Sequence, residues 1–181
     1  MHILALADTH GRLPALDTTN VDCVMIAGDV CPPGDPTPAA QKLWLECAFS
    51  PWVELLRKPV YLTLGNHDLC DYFGGPPNLH YGTEEIIGDV LLFAWTLNFG
   101  GWAWEADEKS LMEKLEDILA SPPRPSIWLT HSPPWGVCDG WTDSSSHNNG
   151  SRAIRAAVLK YQPRLVICGH IHSGAGTGKL G

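Results

Sequence analysis

Pro59-Val-Tyr-Leu-Thr-Leu64 runs directly into Gly65-Asn66-His67-Asp68. A short, mostly apolar run stops at a glycine, and three residues that can bind or move protons follow at once. Such a run reads as a buried strand ending in a polar loop. The same design occurs four more times. His2-Ile-Leu-Ala-Leu-Ala7 leads to Asp8-Thr-His10, and Asp22-Cys-Val-Met-Ile-Ala27 leads to Gly28-Asp29. Ser126-Ile-Trp-Leu-Thr130 leads to His131, and Arg164-Leu-Val-Ile-Cys168 leads to Gly169-His170-Ile-His172. Continuous apolar strands suit a sheet covered on both faces. In open α/β sheets ligands bind beyond the carboxyl ends of the strands, which is where these reactive side chains fall.

Between the strands the apolar period changes. The stretch from Thr37 to Arg57 places Leu43, Cys47, Val53 and Leu55–Leu56 between polar positions. It reads as a helix starting at Thr37-Pro38, with Pro51 expected to break or kink it. Asp107 to Ala120 reads as a second helix, stopped by Pro122-Pro123, and Ser151 to Tyr161 as a third with Ser151 as N-cap. Glu85-Ile-Ile, Gly88-Asp89 and Val90 through Trp95 read as a hairpin turning on Gly-Asp, and so as part of a second sheet. Pro133 to Gly150 is a long polar loop, of the kind that is often functional.

Composition sets the outer bounds. The chain has 181 residues, 12 Lys+Arg against 20 Asp+Glu, a formal charge of −8, 18% charged residues and 44% hydrophobics. That length favours a single domain over residues 1–181. The acidic balance speaks against a nucleic-acid groove and against a polybasic membrane anchor. No apolar run approaches the ~20 residues of a membrane span, and the N-terminal stretch lacks the basic lead of a signal peptide. The cysteines at 23, 31, 47, 70, 138 and 168 form no CxxC pair, so reduced thiols in a cytoplasmic protein are the expectation. Histidine stands out: of the eight in the chain, five fall in the polar loops quoted above.

Asp8, His10, Asp29, Asn66, His131, His170 and His172 offer imidazole nitrogens with carboxylate and amide oxygens. This mixed set suits two divalent ions among Mn, Fe, Co, Ni and Zn, and the lack of thiolate ligands speaks against structural zinc. Seven side chains are too many for one ion. A pair of ions bridged by a carboxylate is the natural use, and such pairs clamp both oxygens of an in-line phosphoryl displacement.

The ordered set DxH, GD, GNHD, H and GHxH resembles the calcineurin-like metallophosphoesterase superfamily. Thr130-His-Ser-Pro-Pro-Trp-Gly136 and the stretch from Gly150 to Gly174 resemble the MPPED-type branch, related to class III cyclic-nucleotide phosphodiesterases. The resemblance implies an α/β fold, a four-layer α/β/β/α sandwich of two mixed sheets flanked by helices, with the dimetal site at one edge. It implies Asp8, His10, Asp29 and His172 around a first metal, Asp29 bridging, and Asn66, His131 and His170 completing a second, with Mn favoured. A metal-bridging hydroxide would attack phosphorus. His67 would act as general acid to the leaving oxygen or stabilise phosphoryl charge. The implied activity is hydrolysis of a small phosphate ester, a nucleotide among the options, by a phosphodiesterase with phosphomonoesterase activity as a further capacity. A nuclease and a non-catalytic scaffold of the same fold are the alternatives, and a homo-oligomer is left open.

Two departures stand out. Relatives often carry an acid three residues after the GD aspartate that orients the histidine. Here that position is Pro32, and Asp68 is the expected substitute. Only nine residues follow His172, whereas relatives usually add strands, so the expectation is that the second sheet is trimmed, that a partner completes it, or that the chain is a fragment. His2 and His80 read as structural, and His147 as solvated loop, with substrate contact as the alternative. Trp44 and Trp52 read as packing residues. Trp95, Trp135 and Trp141 are candidates to stack on a base or aromatic leaving group, with packing as the alternative. Gly174 to Leu180 fails as a phosphate loop, since Ser173 stands where Gly belongs and Leu180 where Ser/Thr belongs.

Overall fold

The computed structural model describes residues 1–34, 37–71, 73–98, 100–140 and 149–180. His147 and Trp141 lie outside them.

The strands are β1 (Ile3–Leu6), β2 (Cys23–Ala27), β3 (Val60–Thr63), β4 (Leu79–Gly82), β5 (Glu84–Ile87), β6 (Val90–Phe93), β7 (Thr96–Leu97), β8 (Glu105–Ala106), β9 (Ile127–Thr130) and β10 (Leu165–Ile167). One sheet has the order β1-β2-β3-β4 and a second the order β10-β9-β6-β5, while β7 and β8 pair separately. The second sheet is mixed: β10, β9 and β6 run parallel and β5 antiparallel to β6. The first sheet is parallel throughout rather than mixed. Its fourth strand, Leu79–Gly82, lies in a stretch whose Asn, His and Tyr mask strand periodicity.

Alternation along the strands builds the layers. Cys23, Met25 and Ala27 of β2 meet Val90 and Leu92 of β6 and Ile127 and Leu129 of β9 in a core between the sheets. Val24 and Ile26 point the other way, into a core with Leu45, Phe49 and Val53. Leu91, Phe93 and Trp128 point outward from the second sheet onto Leu111, Leu115, Ile154 and Ala157. The helices supplying these are α1 (Pro38–Trp44), α2 (Ser50–Leu56), α3 (Glu108–Ile118) and α4 (Arg152–Tyr161). The result is helix, sheet, sheet, helix. β1 and β10 are edge strands with one neighbour each, and this leaves them only partly covered.

The caps follow the sequence. Thr37 accepts from the Ala40 amide, Asp107 from Ser110 and Ser151 from Ile154. Pro51 does not break the first helix. A π-helical turn, Leu45–Phe49, joins α1 to α2 and lets the Ser50 amide and hydroxyl both reach the Leu45 carbonyl. The hairpin turns on Gly88-Asp89 as expected, with Gly88 in the left-handed region at φ 61°.

Candidate metal centre

Three of the five quoted strands end in residues that leave extended geometry at once. Asp8 and His10 after β1, Asp29 after β2 and His170 after β10 all have positive φ, between 45° and 69°. Side-chain-bearing residues reach that region at a cost of about 1–3 kcal/mol. Among the described residues eight non-glycine ones adopt it, and half of them are candidate ligands, so the strain gathers here. Backbone bonds hold it in place: Asp8 N–H donates to Gly28 O (3.0 Å), His10 N–H to Asp29 O (2.9 Å) and Gly11 N–H to Val30 O (2.7 Å). The ladder between β1 and β2 thus continues through the ligand loops.

The second sheet delivers His131. Its Nδ1 lies 2.6 Å from the Ala27 carbonyl at the end of β2. A carbonyl only accepts, so Nδ1 carries the hydrogen and Nε2 faces Asn66 Oδ1 at 3.1 Å and Asp29 Oδ1 at 3.4 Å. Two glycines make the room. A Cβ on Gly28 would sit 2.6 Å from His131 Nδ1, and one on Gly65 would sit 2.3 Å from Asp29 Oδ1 and 2.6 Å from His131 Cε1. His170 completes the cluster. Its amide donates to both oxygens of Asp8 (2.9 and 3.0 Å), and its Nδ1 lies 3.1 Å from Asn66 Oδ1.

Two groups of side chains come together with their ligand atoms within 4.8 Å of one another: Asp8, His10 and His172, and Asp29, His131 and His170. Asp29 faces both, its Oδ2 lying 3.9 Å from His10 Nε2 and its Oδ1 3.4 Å from His131 Nε2. The first group is half-exposed, the second nearly closed off. All seven residues read from the sequence therefore meet at one end of the sandwich.

The donor chemistry fits divalent cations. Among the described residues, no Lys or Arg pairs with Asp8 or Asp29; their ionic neighbours are histidines. His10 Nδ1 is buried without a hydrogen-bond partner. His131 Nε2 and His170 Nδ1 both face Asn66 Oδ1 at 3.1 Å, and either a proton or a cation between them satisfies that geometry. The titrations reflect the same crowding. Burial raises the Asp8 carboxyl above its ordinary range against the pull of His131 and the His170 amide. Burial works on Asp29 the same way, but His131 outweighs it and holds Asp29 low. His131 rises in turn, because Asp29 overcomes its desolvation. His170 falls to about 4, through burial and then the neighbouring His131.

His67 stands at the rim. Its amide donates to Asp29 Oδ1 (2.8 Å) and its carbonyl accepts from Gln41 Nε2 (2.7 Å). Its ring lies edge-on to His10, with centroids 5.4 Å apart, and against Trp102 at 4.5 Å. Among the described residues, the hydrogen bonds of the Asp68 carboxylate do not include the orienting contact to the His67 ring that the sequence led one to expect. Asp68 is fully buried and accepts from the amides of Val30, Cys31 and Gly65 at 3.3, 2.9 and 2.9 Å, so it fastens the GNHD loop to the GD loop. Burial raises its carboxyl, and the Asp29 charge raises it further.

Two residues at the site are not legible from motifs. Gln41 of α1 is buried and also accepts from the Leu69 amide (2.6 Å), so it pins both sides of the GNHD loop. A glutamine on an apolar helix face is the available signal. Trp102 follows two glycines in a loop without a recognisable binding pattern. Of the other tryptophans, Trp95 donates to Glu84 with Lys114 over its ring. Trp135 lies between Arg152 and Arg155. Trp44 and Trp52 pack on Phe49, and His80 stacks on Tyr61.

Comparison with known proteins bears on the family and the fold. Human and mouse metallophosphoesterase domain-containing protein 1 are each 23% identical over 210 aligned positions, covering 96% of this chain. The chain spans 61% of the length of those relatives. A solved crystal structure at 14% identity superposes with a TM-score of 0.71, covering 99% of this chain and 86% of its own. The crystal structure of TT1561 of Thermus thermophilus gives 0.60 at 15% identity, covering 92% and 80%. Both establish likeness of fold. The profile of the calcineurin-like phosphoesterases matches residues 1–174, a span that contains every ligand loop, and the chain belongs to that family.

Proposed function

We propose that this chain hydrolyses small phosphate esters, phosphodiesters above all, with two divalent ions held by Asp8, His10, Asp29, Asn66, His131, His170 and His172. The observation that carries the reading is the pair of ligand groups facing one another across Asp29. Divalent ions, when bound, polarise phosphoryl oxygens and bring the pKa of water toward neutrality. The chain's own residues supply the rest. Asp29 is held ionised by its neighbours and so is ready to ligate. His131 is fixed by the Ala27 carbonyl with Nε2 toward the centre. His67 sits beside the cluster on the open side, where its ring meets the leaving oxygen of an ester and supplies a proton to it. Asp68 and Gln41 are positioning residues that hold the His67 loop.

Manganese is the favoured ion on the mixed nitrogen and oxygen donor set. All six cysteines are free, which supports a reducing, cytoplasmic setting. Among the described residues no helix is long and apolar enough to cross a membrane.

The test is turnover of bis-p-nitrophenyl phosphate and p-nitrophenyl phosphate by the Mn²⁺-loaded protein, with His67→Ala and Asp29→Asn beside it. Loss of at least about a hundredfold in each variant is expected. Equal turnover by wild type and both variants overturns the proposal.

A further inference from the structure

Trp102 combines features that the metal-centre chemistry leaves unused. It is 42% exposed, the only exposed tryptophan among the described residues, yet its backbone is tightly held. Glu105 Oε2 accepts from the amides of Gly100, Gly101 and Trp102 at 3.2, 2.8 and 3.1 Å, closing the loop into a nest around one carboxylate oxygen. Gly101 has φ 78°, which a side chain rarely tolerates. The return of the loop is fixed as well: Thr96 N–H donates to Trp104 O (2.8 Å), and the Trp104 indole donates to the Asp68 carbonyl (2.8 Å). The Trp102 loop is therefore bonded to the loop that carries His67.

That anchoring holds the indole 4.5 Å from the His67 ring, tilted by 39°, with His10 edge-on beyond it. A rigid, solvent-facing indole beside the group that meets the leaving oxygen is a surface for whatever that oxygen carries. A lone exposed apolar side chain is ordinary on a protein surface; this one differs in being held fixed against His67. A cationic partner is disfavoured, because the neighbouring centre is built to hold two divalent cations. A flat, neutral ring remains.

We infer that Trp102 is a specificity-determining residue that stacks on an aromatic ring, aryl or nucleobase, attached through the ester oxygen to the scissile phosphate. The inference rests on the phosphoester reading of the centre and names its substrate class. It replaces Trp95 and Trp135, whose rings are committed to other contacts, as the stacking platform.

Calorimetric titration of the Mn²⁺-loaded full chain with phenylphosphonate and methylphosphonate tests it, because both carry the same anion and differ in the ring. The dissociation constant for the methyl compound should exceed that for the phenyl compound by roughly fivefold to a hundredfold, the worth of one ring stack. In Trp102→Ala and Trp102→Leu the ratio should fall toward one, and in Trp102→Phe most of it should remain. The leucine variant keeps an apolar side chain at the position, so a folding defect in the alanine variant leaves the test intact. Adenosine 5′-monophosphate against ribose 5-phosphate then separates nucleobase from simple aryl recognition. Equal binding of the two phosphonates by wild type, or a ratio that survives in Trp102→Leu, overturns the inference alone. Failure of wild type to bind either phosphonate overturns the phosphoester reading and this inference together.

Discussion

Gly65→Ala is the sharpest probe of how the centre is built. Gly65 does not lie in the left-handed region, so alanine meets no backbone objection there. The objection is steric: the new Cβ would lie 2.3 Å from Asp29 Oδ1, 2.5 Å from Asp29 N and 2.6 Å from His131 Cε1. Ordinary contact begins near 3.4 Å, so Asp29 and His131 must together retreat by about 1 Å. A displacement of that size at a reacting centre costs on the order of a hundredfold in rate. Overpacking adds about 1–3 kcal/mol of destabilisation. The measurements are Mn²⁺ affinity by calorimetry, turnover of bis-p-nitrophenyl phosphate, and thermal unfolding. Gly74→Ala serves as control, since a Cβ there meets nothing within 4 Å; it should leave metal binding and turnover unchanged and add up to about 1 kcal/mol of stability. Gly65→Ala with wild-type Mn²⁺ affinity and turnover would refute the claim that this glycine exists to seat Asp29 and His131.

Three further outcomes follow from the contacts. Removing divalent ions with a chelator should lower the melting temperature by roughly 5–10 °C for each site, as expected when ions at a hundred times their dissociation constant contribute about 2.7 kcal/mol; scanning calorimetry with and without Mn²⁺ reads it. Glu108→Ala should cost about 2 kcal/mol in urea unfolding, because that carboxylate accepts from the Ser151 hydroxyl (2.8 Å) and from the Arg152 and Ala153 amides (2.7 and 2.8 Å) at the start of α4. Asp89 is held below the usual carboxylate range by the Ser126 hydroxyl and amide. Its small contribution is therefore present above the unfolded pKa and lost as pH falls through the folded one, so Asp89→Asn should flatten the melting-temperature slope on the acid side of the ordinary carboxylate range.

Much of this was legible in the chain because strand and chemistry alternate so regularly. The five quoted strands, the three caps and the Gly-Asp hairpin all rest on local periodicity and local hydrogen bonding, which short windows express. β4 did not announce itself, because Leu79–Gly82 carries His80 and Tyr81 on a partly covered edge. The π turn ahead of Pro51 was also invisible, since no residue pattern in Leu45–Phe49 marks it. At the candidate centre, residue types and order pointed to the seven side chains that the fold brings together, but the contacts of Asp68, Gln41 and Trp102 depend on which loops touch. Asp68 was expected near the His67 ring, whereas its carboxylate is used by the backbone. Three amides in two loops needed a buried acceptor, and only the folded chain shows that.

The bond from His131 to the Ala27 carbonyl has a wider consequence. His131 grows from the second sheet, yet its ring is placed by the end of a strand in the first. The candidate centre therefore depends on the spacing between the sheets. Trimming Leu129 or Met25, both buried in the layer between them, should register as weakened metal affinity even while the secondary structure persists. An ion bound there would report how well two halves of a sandwich are pressed together, and substitutions far from the seven candidate residues could be ranked by its affinity alone.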